Sequence, residues 1–483
     1  MTLILCRPFA LLTGLWLLFA AGVVAHADDV RDQACACAAQ DDQAGASNYY
    51  RETAQHYREE GDEQAALIFD SLADQWEPVL RVFRDRQAAP AELRRFYTGQ
   101  KAEPLYGCYL GANCFSDPNV RGFDGFCELT GKRHALFYQY ARHGSVDGWM
   151  ASLTQPDGPW YQAACELRGA LRAVEPGPAL DNWAKRLSQV RGIVFLRWCC
   201  EMNGPWVSWH GDPKLYIEKF RLVHDTMARL APNVAMVWCP NATPVPQIER
   251  YYPGDAYVDW VGVNSYVVTI HNNILSEDAS HENPGDLFKD VYRRYSARKP
   301  IMICETGVTH HALAYGKDEC AFAAARIGHL YGCLPRLYPR IKALCYYDVD
   351  NLKGTANGRP FNNYLLTDRP AVLDAYRRAI APDYFLSGSQ SADGPLPTYV
   401  EPLADGLTLT GITHLTAWAK CHDLTPTVTY KLDGKPVGVS KVHGTYDCSL
   451  DCSKLAPGPH TLSIAMQAAS GKTLKQVSFR IRV

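Results

Sequence analysis

Two stretches decide how this sequence folds. One is Ile193-Val194-Phe195-Leu196-Arg197-Trp198-Cys199-Cys200-Glu201-Met202-Asn203-Gly204. The other is Pro300-Ile301-Met302-Ile303-Cys304-Glu305-Thr306-Gly307. Each is an apolar run suited to a buried strand, then a glutamate, then a glycine that lets the chain turn. A carboxylate at the close of a buried strand is costly unless it is paired or faces a cleft. A structural ion pair would explain either glutamate alone. Two in the same setting point to a shared site.

Outward from these strands the chain alternates. Further strand candidates are Leu105–Leu110, Ala135–Tyr140, Val234–Cys239, Trp260–Tyr266 and Ile341–Tyr347, with Gly192–Cys200 and Pro300–Cys304 around the two glutamates. A segment near Ala170–Val174 brings the count to eight. Helical patterns lie between them, as at Leu215–Leu230 and Glu319–Leu330. Such alternation over residues 102–385 predicts an α/β fold, a (β/α)8 TIM barrel. The rival is an open doubly wound sheet, but Leu105-Tyr106-Gly107-Cys108 leads to no glycine-rich phosphate turn. In a barrel, Glu201 and Glu305 fall at the carboxyl ends of the fourth and seventh strands, where reactive groups sit.

Several motifs resemble glycoside hydrolase family 26, which contains the β-mannanases. They are Arg197–Trp209 with Glu201-Met202-Asn203-Gly204, Val237-Trp238-Cys239-Pro240-Asn241, Tyr252–Tyr266, and Pro300–Gly307, in family order. The resemblance implies a retaining β-glycosidase of the clan with catalytic glutamates on strands four and seven. Glu201 would be the acid/base and Glu305 the nucleophile. Retention needs the two carboxyl groups about 5–5.5 Å apart. Arg197 matches the strand-four arginine and Tyr266 the tyrosine that hydrogen-bonds the nucleophile. The sequence departs from the family at Cys200, where a histidine usually precedes the acid/base. It departs again in strand eight, where Cys345-Tyr346-Tyr347-Asp348 stands in place of a tryptophan under the sugar. The first departure puts mannan specificity in doubt more than hydrolysis.

A sugar ring has an apolar face that packs on an aromatic one. Trp160, Trp206, Trp209, Trp238 and Tyr347 are the candidate platforms, Trp206 and Trp209 the best of them; Trp183 and Trp238 also suit a core. Asn241 and Asn264 end their strands and are candidates to hold sugar hydroxyls. His310-His311 read as a loop or subsite wall rather than metal ligands. The mechanism calls for no cofactor and no metal. The expected partner is a polysaccharide, with β-mannan first. The alternative is a non-catalytic polysaccharide-binding or assembly protein on the same barrel; another is a scaffold that recruits partners through its flanking regions.

The ends of the chain are of different character. Arg7, the apolar run Ala10–Val24 and Ala25-His26-Ala27 read as an export signal over residues 1–27, with an uncleaved anchor as the alternative. Export predicts a secreted or periplasmic monomer, off the membrane once cleaved. A net charge of −2 argues against a chain-wide attraction to nucleic acid or anionic membrane. Residues 28–101 read as helical. The stripe Ala65, Phe69, Leu72, Trp76, Val79, Phe83 marks one face, and Gly61-Asp62 divides a hairpin that must pack on its neighbour. Residues 386–397 read as a Ser/Gly/Pro linker. Residues 398–483 read as an immunoglobulin-like β-sandwich that is either a carbohydrate binder or a spacer, with Trp418 its one tryptophan. Of the 17 cysteines, Cys6 lies in the signal. Some of the rest are expected to pair in an oxidising compartment, with Cys108, Cys114 and Cys127, or Cys35 and Cys37, as candidates. Cys421, Cys448 and Cys452 allow at most one pair in the sandwich. There is no CxxC, and Cys199-Cys200 read as buried thiols.

Overall fold

The structure is a computed structural model. It describes residues 33, 36–37, 42–146, 156, 158–353, 359–390, 394–441 and 444–483. The expected export segment and Cys35 lie outside them. Among the described residues no helix is long and apolar enough to cross a membrane.

Eight parallel strands close into the expected barrel. In order they are Cys108–Asn113, Leu136–Arg142, Trp160–Glu166, Val194–Trp198, Val234–Trp238, Trp260–Asn264, Ile301–Thr306 and Ile341–Tyr347. The eighth pairs with the first, Ala343 opposite Tyr109 through Tyr347 opposite Asn113. One predicted strand is displaced. Leu171–Ala173 is a single 3-10 turn, and the third strand is Trp160–Glu166. Gln162 and Glu166 break its apolar pattern. Gln162 is nonetheless buried in the barrel, its amide donating to the Cys304 carbonyl at 3.2 Å.

Side chains alternate across the barrel wall. Tyr138, Trp160, Phe195, Val237, Trp260 and Met302 fill the axis, while Phe137, Tyr161, Leu196, Trp198, Met236 and Ile303 face the outer helices. Four thiols, Cys200, Cys239, Cys304 and Cys345, also point inward. Glycines make room for them. A Cβ on Gly111 would lie 2.5 Å from the Cys345 sulfur, and one on Gly262 would lie 2.5 Å from that of Cys304. The expected pairing of cysteines is absent among the described residues, including Cys108, Cys114 and Cys127 and the three in the sandwich. Most of these thiols are buried where apolar side chains would otherwise sit, and burial pushes Cys200 and Cys239 well above the ordinary thiol range.

The hairpin forms as read, in helices Gln43–Glu59 and Glu63–Trp76. Asp62 caps the second by accepting from the Ala65 amide at 3.0 Å. The helical stripe, however, ends at Trp76. Pro78 disfavours the helical state for Glu77, which is extended. Val79–Arg86 is a strand whose Val79, Val82 and Phe83 suit a sheet, and it lies inside the C-terminal sandwich. There it separates Tyr399–Pro402 from Ile412–Lys420, with Tyr446–Asp451 at the far edge. The second sheet runs Lys435–Ser440, Thr427–Leu432, Pro459–Gln467, Thr473–Arg482, and both sheets are antiparallel.

The sandwich is fastened to the barrel rather than tethered. Around the expected linker, Leu386 pairs beside the first barrel strand, Gln390 donates to the Tyr106 carbonyl and the Thr398 amide donates to Asp383. Trp418 is buried in the core shared with the barrel, so it offers no binding face. Lys420 pairs with Asp286 at 2.7 Å, Lys289 with Asp74 at 2.5 Å, and Trp76 stacks on His422 at 3.7 Å. Those contacts lock hairpin, barrel and sandwich at one corner. At another, Gly444 meets the backbone of Gly328 in helix Cys320–Leu337. Its φ is +87°, and an added Cβ would fall 2.1 Å from the Gly328 carbonyl carbon. Gly444→Ala is expected to cost about 2–4 kcal/mol through strain and clash, read as a lowered midpoint in denaturant unfolding.

Candidate active site

The fourth strand ends at Trp198, and the chain then turns sharply. Cys199 and Glu201 both take left-handed φ, +48° and +60°. Such a conformation costs about 1–3 kcal/mol at a residue with a Cβ and persists only where neighbours enforce it. Here the Cys199 amide donates to the Cys165 carbonyl and the Glu201 amide to the Cys239 carbonyl, both at 2.8 Å. Trp209 donates its indole N–H to the Cys200 carbonyl at 2.7 Å, and Tyr216 its hydroxyl to the Cys199 carbonyl. The result turns the Glu201 side chain over the barrel mouth. Asn203 and Asn241 exchange two 2.9 Å hydrogen bonds that tie this loop to the fifth strand.

Glu305 sits inside the seventh strand and is nearly buried. A buried carboxylate needs charge and donors. Arg197, with no exposed surface, pairs with its Oε2 at 2.7 Å. Tyr140 donates to Oε1 at 2.5 Å, and Tyr266 donates to the same oxygen. Tyr138 lies under the guanidinium, 5.3 Å from ring centre to Cζ. Loss of water and the Glu305 charge push the hydroxyls of Tyr138, Tyr140 and Tyr266 well above the ordinary phenol range, so they keep their protons, and Tyr140 and Tyr266 donate them to Glu305.

One relay joins the two carboxylates. Arg197 also donates to Asn264 Oδ1 at 2.9 Å, and Asn264 donates through Nδ2 to Glu201 Oε1 at 2.7 Å. Asn241 reaches the same oxygen at 3.2 Å. Glu201 Oε2 accepts from the Trp206 indole N–H at 2.6 Å.

The structure therefore brings together Glu201, Glu305, Arg197, Asn241, Asn264, Tyr266 and Trp206. It assigns some of the predicted residues differently. Both asparagine amides donate to Glu201. Trp209 is 6% exposed and serves as a backbone anchor, whereas Trp206 is 42% exposed with Arg359 5.8 Å over its ring. Trp160 is buried in the barrel axis, and Trp238 and Trp183 in the outer core. Tyr347 is half-buried, edge-on to Tyr266 at 5.7 Å. Cys200 lies inside the barrel, beneath the mouth. His310 is buried and pairs with Asp368 at 3.0 Å. Tyr138 and Tyr140 were missed from sequence; their two-residue spacing in Leu136–Arg142 puts both on the axis side. Glu166 gives no strand-end signal in sequence, because Gln162 and Glu166 itself interrupt the apolar run of the third strand.

Residues 177–306 match the family model described as Glycosyl hydrolase family 26. Over those residues the chain is similar to glycosyl hydrolase family 26. The match spans strands four to seven and includes both glutamates. The β-1,3-xylanase TXYA of a Vibrio species is 35% identical over 94 residues, 18% of this chain and 20% of the xylanase. Endoglucanase H of Acetivibrio thermocellus is 23% identical over 298 residues, 57% of this chain and 30% of the endoglucanase. This chain thus spans less than a third of these curated relatives. Among solved structures, an endo-β-1,4-mannanase double mutant from Cellulomonas fimi aligns over 80% of this chain and 99% of that one, with 15% identity and a TM-score of 0.42.

The Arg197–Glu305 pair is the strongest constraint in the site. Removing one partner of a buried pair strands the other's charge. Arg197→Met is expected to destabilise the protein by about 3–5 kcal/mol. Tyr266→Phe, which leaves Glu305 two other donors, should cost only about 1 kcal/mol. Chemical denaturation of the two variants side by side checks the ordering.

Proposed function

We propose that this protein is a retaining β-glycoside hydrolase acting on a polysaccharide, with Glu305 as nucleophile and Glu201 as acid/base. The observation that carries the reading is the relay Glu305–Arg197–Asn264–Glu201 at the ends of strands seven and four. It supplies two carboxylates in unlike surroundings, which is what double displacement needs. Glu305 faces a guanidinium and phenolic donors, a setting that orients a nucleophile. Attack on the anomeric carbon forms a glycosyl-enzyme as the leaving oxygen takes a proton from Glu201. Water, deprotonated by Glu201, then releases the sugar with its configuration retained.

The partners of Glu201 suit this role. Oε1 is held by two asparagine amides. Oε2 meets only the indole of exposed Trp206 among the described residues, so it is the oxygen free to face a leaving group. Trp206 then lines the leaving-group side as a stacking surface.

A β-mannan is the first substrate we propose, on the family resemblance; β-1,3-xylan and a glucan are next, from the names of the relatives. Cys200 weighs against strict mannan specificity, because a thiol is a poor donor in the position where the family usually has histidine. We propose also that the chain is exported as a monomer, on the strength of its apolar N-terminus.

Proton NMR of the first sugar released from each polysaccharide tests the chemistry: the β-anomer should appear before mutarotation, and the α-anomer would sink the assignment. Glu305→Ala should lower kcat by about 10⁴-fold or more, with azide restoring turnover as a glycosyl azide of inverted configuration. Binding without turnover in wild type and variant alike would favour a non-catalytic polysaccharide binder.

A further inference from the structure

Besides Glu201 and Glu305, a third carboxylate belongs to the cleft. On the third strand, Trp160 and Ala164 fill the barrel axis, and Gln162 reaches across it to the Cys304 carbonyl and the Cys345 sulfur. The two-residue period carries Glu166, last in the strand, to the axis side at the open mouth. It pairs in register with Arg142 of strand two and lies one step beyond the Cys165–Trp198 pair, beside the turn that holds Glu201. Glu166 is exposed. Its backbone carbonyl accepts from His143, but among the described residues its carboxylate has no hydrogen-bond or ion-pair partner. Arg197, the buried cation of the site, is committed to Glu305 and Asn264.

A carboxylate only accepts hydrogen bonds. Held open in a cleft, it suits sugar hydroxyls and repels a second carboxylate. We infer that Glu166 is a specificity-determining residue: it takes hydrogen bonds from hydroxyls of a sugar next to the scissile bond and excludes polysaccharides that carry an acidic group there. Partial burial and the charges of Glu305 and Glu201 raise its carboxyl above the ordinary range, and Arg197 opposes them, which fits a side chain within the field of the whole site. The inference rests on the hydrolase reading and names which chemical class that site admits: neutral glycans.

The test measures binding, so that it stands apart from turnover. In a Glu201→Gln background, which leaves the Arg197–Glu305 pair intact, calorimetry compares neutral manno-, cello- and β-1,3-xylo-oligosaccharides with manno- and cello-oligosaccharides oxidised to carboxylates at C6. With Glu166 present, a neutral oligosaccharide should bind and its oxidised counterpart should bind at least ten-fold more weakly. Glu166→Gln should narrow that gap by ten-fold or more, and Glu166→Ala should also weaken the neutral ligand by about ten-fold. An unchanged ratio in both variants overturns the inference, as does failure of every neutral oligosaccharide to bind. Intact selectivity without turnover by the wild type would overturn only the hydrolase reading.

Discussion

Everything at the mouth of this barrel depends on one buried guanidinium. Arg197 has no contact with solvent, and a cation in that position must be matched by charge and acceptors. Glu305 supplies the charge and Asn264 an acceptor. Once Asn264 turns its oxygen to Arg197, its amide nitrogen faces Glu201, so the orientation of one carboxylate follows from the pairing of the other. The tyrosines complete the set with neutral donors that add no competing charge. The site is thus preorganised by the need to satisfy a buried ion.

Below that layer the barrel is filled in an unusual way. Thiols occupy four axis positions, and three of them, Cys239, Cys304 and Cys345, face glycines on neighbouring strands. Cysteine packs as a small apolar side chain, so these positions read as core even though the residue type invites thoughts of pairing or metal. Cys200 belongs to this layer. It stands one residue before Glu201 but serves the packing beneath the mouth, while the neighbouring positive φ angles aim the glutamate.

Much of this was legible in the sequence. Seven of the eight strands announce themselves as apolar runs, and two end in a glutamate. The motifs around Glu201 and Glu305 carry the family resemblance directly. What was not legible depended on long-range packing. Val79 and Phe83 fit a helical stripe by spacing, and only their pairing with strands some three hundred residues away makes them a sheet. Trp160–Glu166 was passed over because it holds a glutamine and a glutamate; a barrel interior can satisfy both. Trp209 and Trp206 look alike in sequence, and only the closed loop separates an anchor from an exposed ring. Asn241 and Asn264 read as site residues at strand ends, but their hydrogen bonds to Glu201 exist only once the fifth and sixth strands close beside the fourth.

The close approach of Gly444 to Gly328, with Trp418 sunk in the shared core, bears on how the molecule meets its substrate. A module on a flexible tether samples a volume and can hold a polymer while the cleft searches along it. This sandwich samples nothing, because it is fixed to the barrel wall. For the polymer substrate proposed above, engagement is then the docking of one solid shape, in which barrel and sandwich arrive together.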